Sequence, residues 1–148
     1  MKWYFENITR QQELKRILSS WKGTPYRHGC GVKGAGADCT YFLLRVLEEL
    51  GFGPFKIPSY PRDWNLHNAD EELLKGFLKY LPCKEVKIED PMNGDIILFF
   101  FGKMCSHAGF YFGDLIHHCV NRSGVIETAW AGDPMWTKRK RYMMRLTG

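Results

Sequence analysis

The residues able to do nucleophilic chemistry in this chain are Cys39, His107 and the adjacent pair His117 and His118. Cys39 follows a stretch from Thr24 to Asp38 with glycines at 29, 31, 34 and 36, a composition that builds a loop able to bring its backbone close to another element. It also opens a run with apolar residues at Phe42, Leu43, Val46, Leu47 and Leu50, which predicts a helix over Cys39 to Leu50, with Gly51 and Gly53 as stop signals. A helix N-terminus presents unpaired backbone N–H groups and partial positive charge, which favour a thiolate and can hold an oxyanion. A single cysteine is more often a small buried hydrophobe. The thiol therefore needs a base before it counts as a nucleophile.

The segment Ser106-His107-Ala108-Gly109-Phe110-Tyr111-Phe112 offers that base at the beginning of a strand. Alternation places His107, Gly109 and Tyr111 on one face, and Gly109 leaves room there for another element, such as the Cys39 helix. A Cys-His site usually has a third polar group that fixes the imidazole, and His117 and His118 both offer it. Parity decides between them. A two-residue loop at Gly113-Asp114 pairs Phe112 with Leu115 and puts His118 on the face of His107; a three-residue loop puts His117 there instead. Periodicity leaves both registers open.

The elements that must position these residues follow from the rest of the chain. An amphipathic helix is expected from Ile8 to Trp21. A third is expected from Ala69 to Leu81 with Asn68 as its cap, after a Pro- and aromatic-rich loop from Phe52 to Asn65. Short β-rich runs at Ile96 to Phe101, Ala108 to Phe112, Leu115 to Val120 and Val125 to Ala129, and a last strand ending near Leu146, complete the pattern. Helices first and an antiparallel sheet second make an α+β layout. With 148 residues, 45% apolar, and no repeat or linker, a single domain over 1–148 is expected.

Composition narrows the function classes. The longest apolar run, Ile96 to Phe101, is far short of the ~20 residues of a membrane helix, and the start Met1 to Asn7 does not read as a secretory signal. Five cysteines, an odd number, favour reduced thiols. The net charge of +5 favours an anionic partner, but the basic run Thr137 to Arg141 reads better as a charged strand edge than as a nucleic-acid patch. His28 with Cys30, Cys105 with His107, and His117 with Cys119 hold enough ligands for zinc, yet none has the spacing of an established zinc motif.

The run Trp21 to Cys39, then Gly94-Asp-Ile-Ile-Leu-Phe99, His107-Ala-Gly-Phe-Tyr and Ile116-His117, resembles the NlpC family of papain-like cell-wall peptidases, and more narrowly its short phage and prophage members. The resemblance covers nearly the whole chain from Trp21. It implies a papain-like α+β fold, no cofactor, and hydrolysis of amide bonds in peptidoglycan stem peptides. It implies Cys39 as nucleophile, His107 as general base and His117 as third polar residue, with Tyr26 lining the site and Asp38 touching substrate. The partners it implies are a peptidoglycan peptide and, as candidates, phage tail or prophage proteins, with no nucleic acid and no membrane. Action at the wall would then follow a virion or lysis route. Two departures stand out: Thr40-Tyr41-Phe42 replaces the usual small residue and glycine after the nucleophile, and the segment from His107 to His117 is shorter than in most relatives. The alternative is a non-catalytic wall-binding or phage tail structural protein of the same fold.

Overall fold

The computed structural model describes residues 2–56 and 71–148. Helix α1, Ile8–Trp21, starts where the Asn7 side chain accepts from the Thr9 and Arg10 backbone N–H groups, and it buries Leu14, Ile17, Leu18 and Trp21. The glycine-rich stretch after it forms a two-stranded hairpin, β1 Gly31–Val32 and β2 Gly36–Ala37. Helix α2, Cys39–Glu49, follows at once and buries Phe42, Leu43, Val46 and Leu47. Helix α3 spans Glu72–Tyr80. The expected cap Asn68, and Ala69 as first residue, lie outside the described residues, as does most of the proline- and aromatic-rich loop.

A six-stranded antiparallel sheet forms the second half, in the order β3 Cys83–Val86, β8 Lys140–Leu146, β4 Ile96–Phe101, β5 Met104–Phe112, β6 Leu115–Val120 and β7 Gly124–Ala129. A four-residue helix α4, Pro134–Thr137, lies between β7 and β8. This is the expected α+β architecture, with three differences. Strand β5 begins at Met104, so His107 is inside it rather than at its start. Strand β3 is additional, and its Cys-Lys-Glu-Val sequence has no apolar run to announce it. The basic segment is not on an edge strand: Lys140 and Arg141 begin β8, which lies between β3 and β4, although β3 pairs only with Met143 to Leu146, and Arg139, Lys140 and Arg141 stack on the rings of Phe101, Trp130 and Phe100.

The sheet separates two apolar clusters by strand alternation. Ile96, Leu98, Ala108, Phe110 and Cys119 face α1 and α2, where Phe42 meets Trp21 and Phe110 edge-on at 5.7 and 6.4 Å. Ile97, Phe99, Tyr111, Ile116 and Met143 face outward and are covered by Trp136 of α4. Asp95, at the start of β4, is 1% exposed and accepts from Arg145 Nε and Nη2 at 2.9 and 2.8 Å, which pairs its charge and ties the start of β4 to β8.

Candidate active site

The nucleophile candidate sits in a gap in the sheet. Strand β5 pairs with β6 at Phe110, Tyr111 and Phe112, so among the described residues the β5 backbone from Met104 to Gly109 has no ladder partner on that side. The N-terminus of α2 fills the opening. Cys39 Sγ lies 3.5 Å from the Ser106 carbonyl, to which it donates, and receives the Ala108 backbone N–H. Cys119 Sγ, on β6, donates to the Ala37 carbonyl at 3.0 Å just before the helix. Thiols thus stand in for part of the missing ladder, and Cys39 touches both neighbours of His107.

Asp38 sets the direction of α2. One carboxylate oxygen accepts from Tyr41 N at 2.8 Å as the N-cap, and the other from Gly29 N at 2.8 Å, fastening the glycine-rich loop to the helix. The residue is 1% exposed. The carboxylate is turned into the protein, where one oxygen caps the helix and the other closes the loop; the substrate contact that the resemblance implies is not among these bonds. Tyr26 lies beside the same segment, bridging Ala37 in parallel register, and is half-buried against the helix-side core.

The hairpin loop between β5 and β6 has two residues, Gly113 and Asp114, both in the left-handed region with φ of 59° and 60°. This is the twist that closes a tight hairpin, and it pairs Phe112 with Leu115 and Phe110 with His117. The three-residue register is not formed, so His117 faces the helix side, with its Nε2 3.2 Å from the Phe112 carbonyl and with Glu127 opposite it in the β6–β7 ladder. His118 takes the outward face, and its Nδ1 lies 2.8 Å from His107 Nε2. The third position expected at His117 is thus occupied by His118. Gly109 makes room for it: a Cβ there would stand 3.0 Å from the His118 Cβ, so the approach is from β6 and not from α2.

Aromatic rings enclose the imidazole pair. The Trp136 ring lies 4.9 Å from that of His107 and 4.6 Å from that of His118, and Phe99 and Phe101 flank His107 at 5.4 and 6.0 Å. On the far side Thr128 Oγ1 is 3.0 Å from His118 Nε2. Burial, and then the neighbouring imidazole, holds His107 well below its ordinary value. Burial and the neighbouring His117 take His118 down to about 3. Cys39 is pushed up to about 11 by burial and then by the Asp38 charge, against the opposing hydrogen bonds of Thr40 and Ala108. Burial thus favours the uncharged forms of the Cys39 thiol and of both imidazoles, and among the described residues no hydrogen bond joins Cys39 to the His107 ring.

Trp136 and Thr128 were not singled out by spacing for a role at the site. Asp133-Pro134 carries a signal for the first, since Asp133 caps α4 by accepting from Met135 N and Pro134 opens the turn that delivers Trp136. Thr128 has none beyond its place in an alternating strand. Among the described residues no group of three or more His, Cys, Asp or Glu side chains converges as metal ligands would, and no helix is long and apolar enough to cross a membrane.

A cysteine at a helix start, set into an antiparallel sheet that carries a histidine pair, defines a papain-like α+β protein. The chain belongs to the NlpC/P60 family, whose model matches residues 23–145. It is 32% identical over 140 residues to the murein DD-endopeptidase MepS/murein LD-carboxypeptidase of Escherichia coli (strain K12), covering 91% of this chain and 64% of that protein. The chain therefore spans less than two thirds of that relative. The fold matches a solved NLP/P60 family protein of Staphylococcus aureus, described as similar to lipoprotein, with a TM-score of 0.66 at 18% identity over all of this chain and 44% of that one. It also matches the NlpC/p60 domain of the peptidoglycan hydrolase SagA, with a TM-score of 0.58 at 14% identity over 90% of this chain and 96% of that domain.

Proposed function

We propose that the chain is a cysteine peptidase that hydrolyses amide bonds in peptidoglycan stem peptides. The observation that carries this is Cys39 at the start of α2, lodged against both strand neighbours of His107, with His107 held in turn by His118. His107 Nε2 is engaged by His118, which leaves Nδ1 to take the Cys39 proton. The sulfur attacks the amide carbonyl, and the Cys39 backbone N–H with Tyr26 steadies the oxyanion. His107 passes the proton to the leaving amine, and water, activated by the same imidazole, cleaves the thioester to release the acid and restore the thiol. The names of the E. coli relative and of SagA support the wall substrate. A phage or prophage setting rests on the motif resemblance alone. Incubation with purified peptidoglycan releases peptide fragments identifiable by mass spectrometry, and Cys39→Ala abolishes the release; equal release by the variant sinks the mechanism.

A second reading, a wall-binding protein without catalysis, is favoured by one feature: the Cys39 hydrogen bond runs to the Ser106 carbonyl rather than to His107. It predicts retention on peptidoglycan, no thiol-dependent cleavage, and alkylation of Cys39 at the rate of an ordinary thiol.

A further inference from the structure

We propose that Thr128 is a positioning residue of this site, its hydroxyl oxygen being the terminal acceptor of a hydrogen-bond chain that becomes obligatory when His107 gains a proton. The inference rests on the cysteine peptidase reading and deepens it. Thr128 is opposite Ile116 in the β6–β7 ladder, and His118 is opposite Ile126, so the two side chains are diagonal neighbours on one face. The contacts run in line: Thr128 Oγ1 to His118 Nε2 at 3.0 Å, then His118 Nδ1 to His107 Nε2 at 2.8 Å.

Proton counting fixes the direction of this chain in the charged state. Neutral His107 with Nδ1 bare for the Cys39 proton carries its own proton on Nε2 and already donates to His118; the other tautomer reverses the chain but cannot act as the base. Once His107 has taken the Cys39 proton, both of its nitrogens carry hydrogen, and Nε2–H must donate. His118 Nδ1 must then be bare. His118, fully buried and neutral, keeps its one proton on Nε2 and directs it at Thr128. The threonine oxygen accepts it, while its own hydrogen stays free to meet solvent because the residue is only half-buried. An isosteric side chain without the oxygen strands a buried N–H at the step where charge develops.

The test needs no wall substrate. Alkylation of Cys39 by iodoacetamide at neutral pH, followed by mass spectrometry of its peptide to separate it from the other four free cysteines, reads the thiolate that His107 supports. Thr128→Val is expected to slow this reaction roughly five- to tenfold, the effect of one hydrogen bond in a buried chain, and Thr128→Ser to restore it. Thr128→Ala serves where valine impairs folding. In the His118→Ala background the same substitutions are expected to change nothing, because the chain is already cut. On substrate, Thr128→Val lowers kcat by the same factor and leaves KM within about twofold. Alkylation of Thr128→Val and Thr128→Ala at the unmodified rate overturns the proposal, and so does a serine variant as slow as valine. If the unmodified chain cleaves no wall peptide while the alkylation order holds, the peptidase reading falls and the chain through Thr128 stands.

Discussion

The two faces of the six-stranded sheet are made from alternate residues of the same strands, yet they do different work. The helix-side face is a packed core in which Phe42, Leu98 and Phe110 have no exposed surface. The outward face has a smaller apolar cluster, and set into it are two imidazoles under the ring of Trp136. The adjacent residues His117 and His118 show the contrast at its sharpest: one step along β6 separates a histidine on the helix side from one bonded to His107. Cohesion is concentrated on one side and the proposed chemistry on the other, with Cys39 reaching the strand from the helix side through the gap between β5 and β6.

Substitutions that respect this division are expected to separate activity from stability. The largest effect is His107→Ala, which removes the proposed general base and lowers kcat by about 10²- to 10⁴-fold, read by fragment release, with a stability loss smaller than that of Phe42→Ala, read by denaturant unfolding. Next is Phe42→Ala on the opposite face, where an emptied aromatic site costs about 3–5 kcal/mol in denaturant unfolding and the remaining folded protein keeps its Cys39 reactivity. A stability loss from His107→Ala as large as that from Phe42→Ala would erase the distinction between the faces. Third, His118→Ala leaves the His107 Nε2–H without an acceptor and lowers kcat roughly ten- to hundredfold, whereas His117→Ala changes it less than about threefold. The reverse order would restore the register that the resemblance implied.

How far the sequence led depends on whether the information was local. Helices α1 and α2 are readable because each is an apolar stripe of helical period that ends at a glycine stop, Gly23 or Gly51. The features that single out Cys39 and His107 as candidates, their type and neighbours, are likewise visible without knowing the fold. Which histidine meets His107 is not, because it turns on the parity of one loop, and Gly113-Asp114 is compatible with either register until the turn closes with both residues at positive φ. The capping role of Asp38 is hidden for a similar reason, because an acidic residue before such a cysteine looks the same whether it faces substrate or caps a helix. Trp136 and Thr128 reach the histidines from α4 and β7, and only the assembled sheet brings those elements together.

The smallest expected effect is a pH dependence that tests the same division without any substrate. His107 and His118 are both held below the ordinary histidine value of about 6.5 in the folded chain, His118 down to about 3, chiefly by burial. Below about pH 6.5 the unfolded chain binds protons that the folded chain refuses, so stability is lost as pH falls, with a slope of up to about 1.4 kcal/mol per pH unit for each such imidazole. Between about pH 6 and pH 4 His118→Ala should therefore flatten the dependence of unfolding free energy on pH, whatever its effect on absolute stability. His117 is also lowered, but it is less enclosed and the Glu127 charge and the Phe112 carbonyl pull it the other way, so His117→Ala should flatten the curve less. Equal slopes in the two variants would mean that the step from one face of β6 to the other does not change how far an imidazole is withdrawn from water, and the contrast between the faces would lose its electrostatic half.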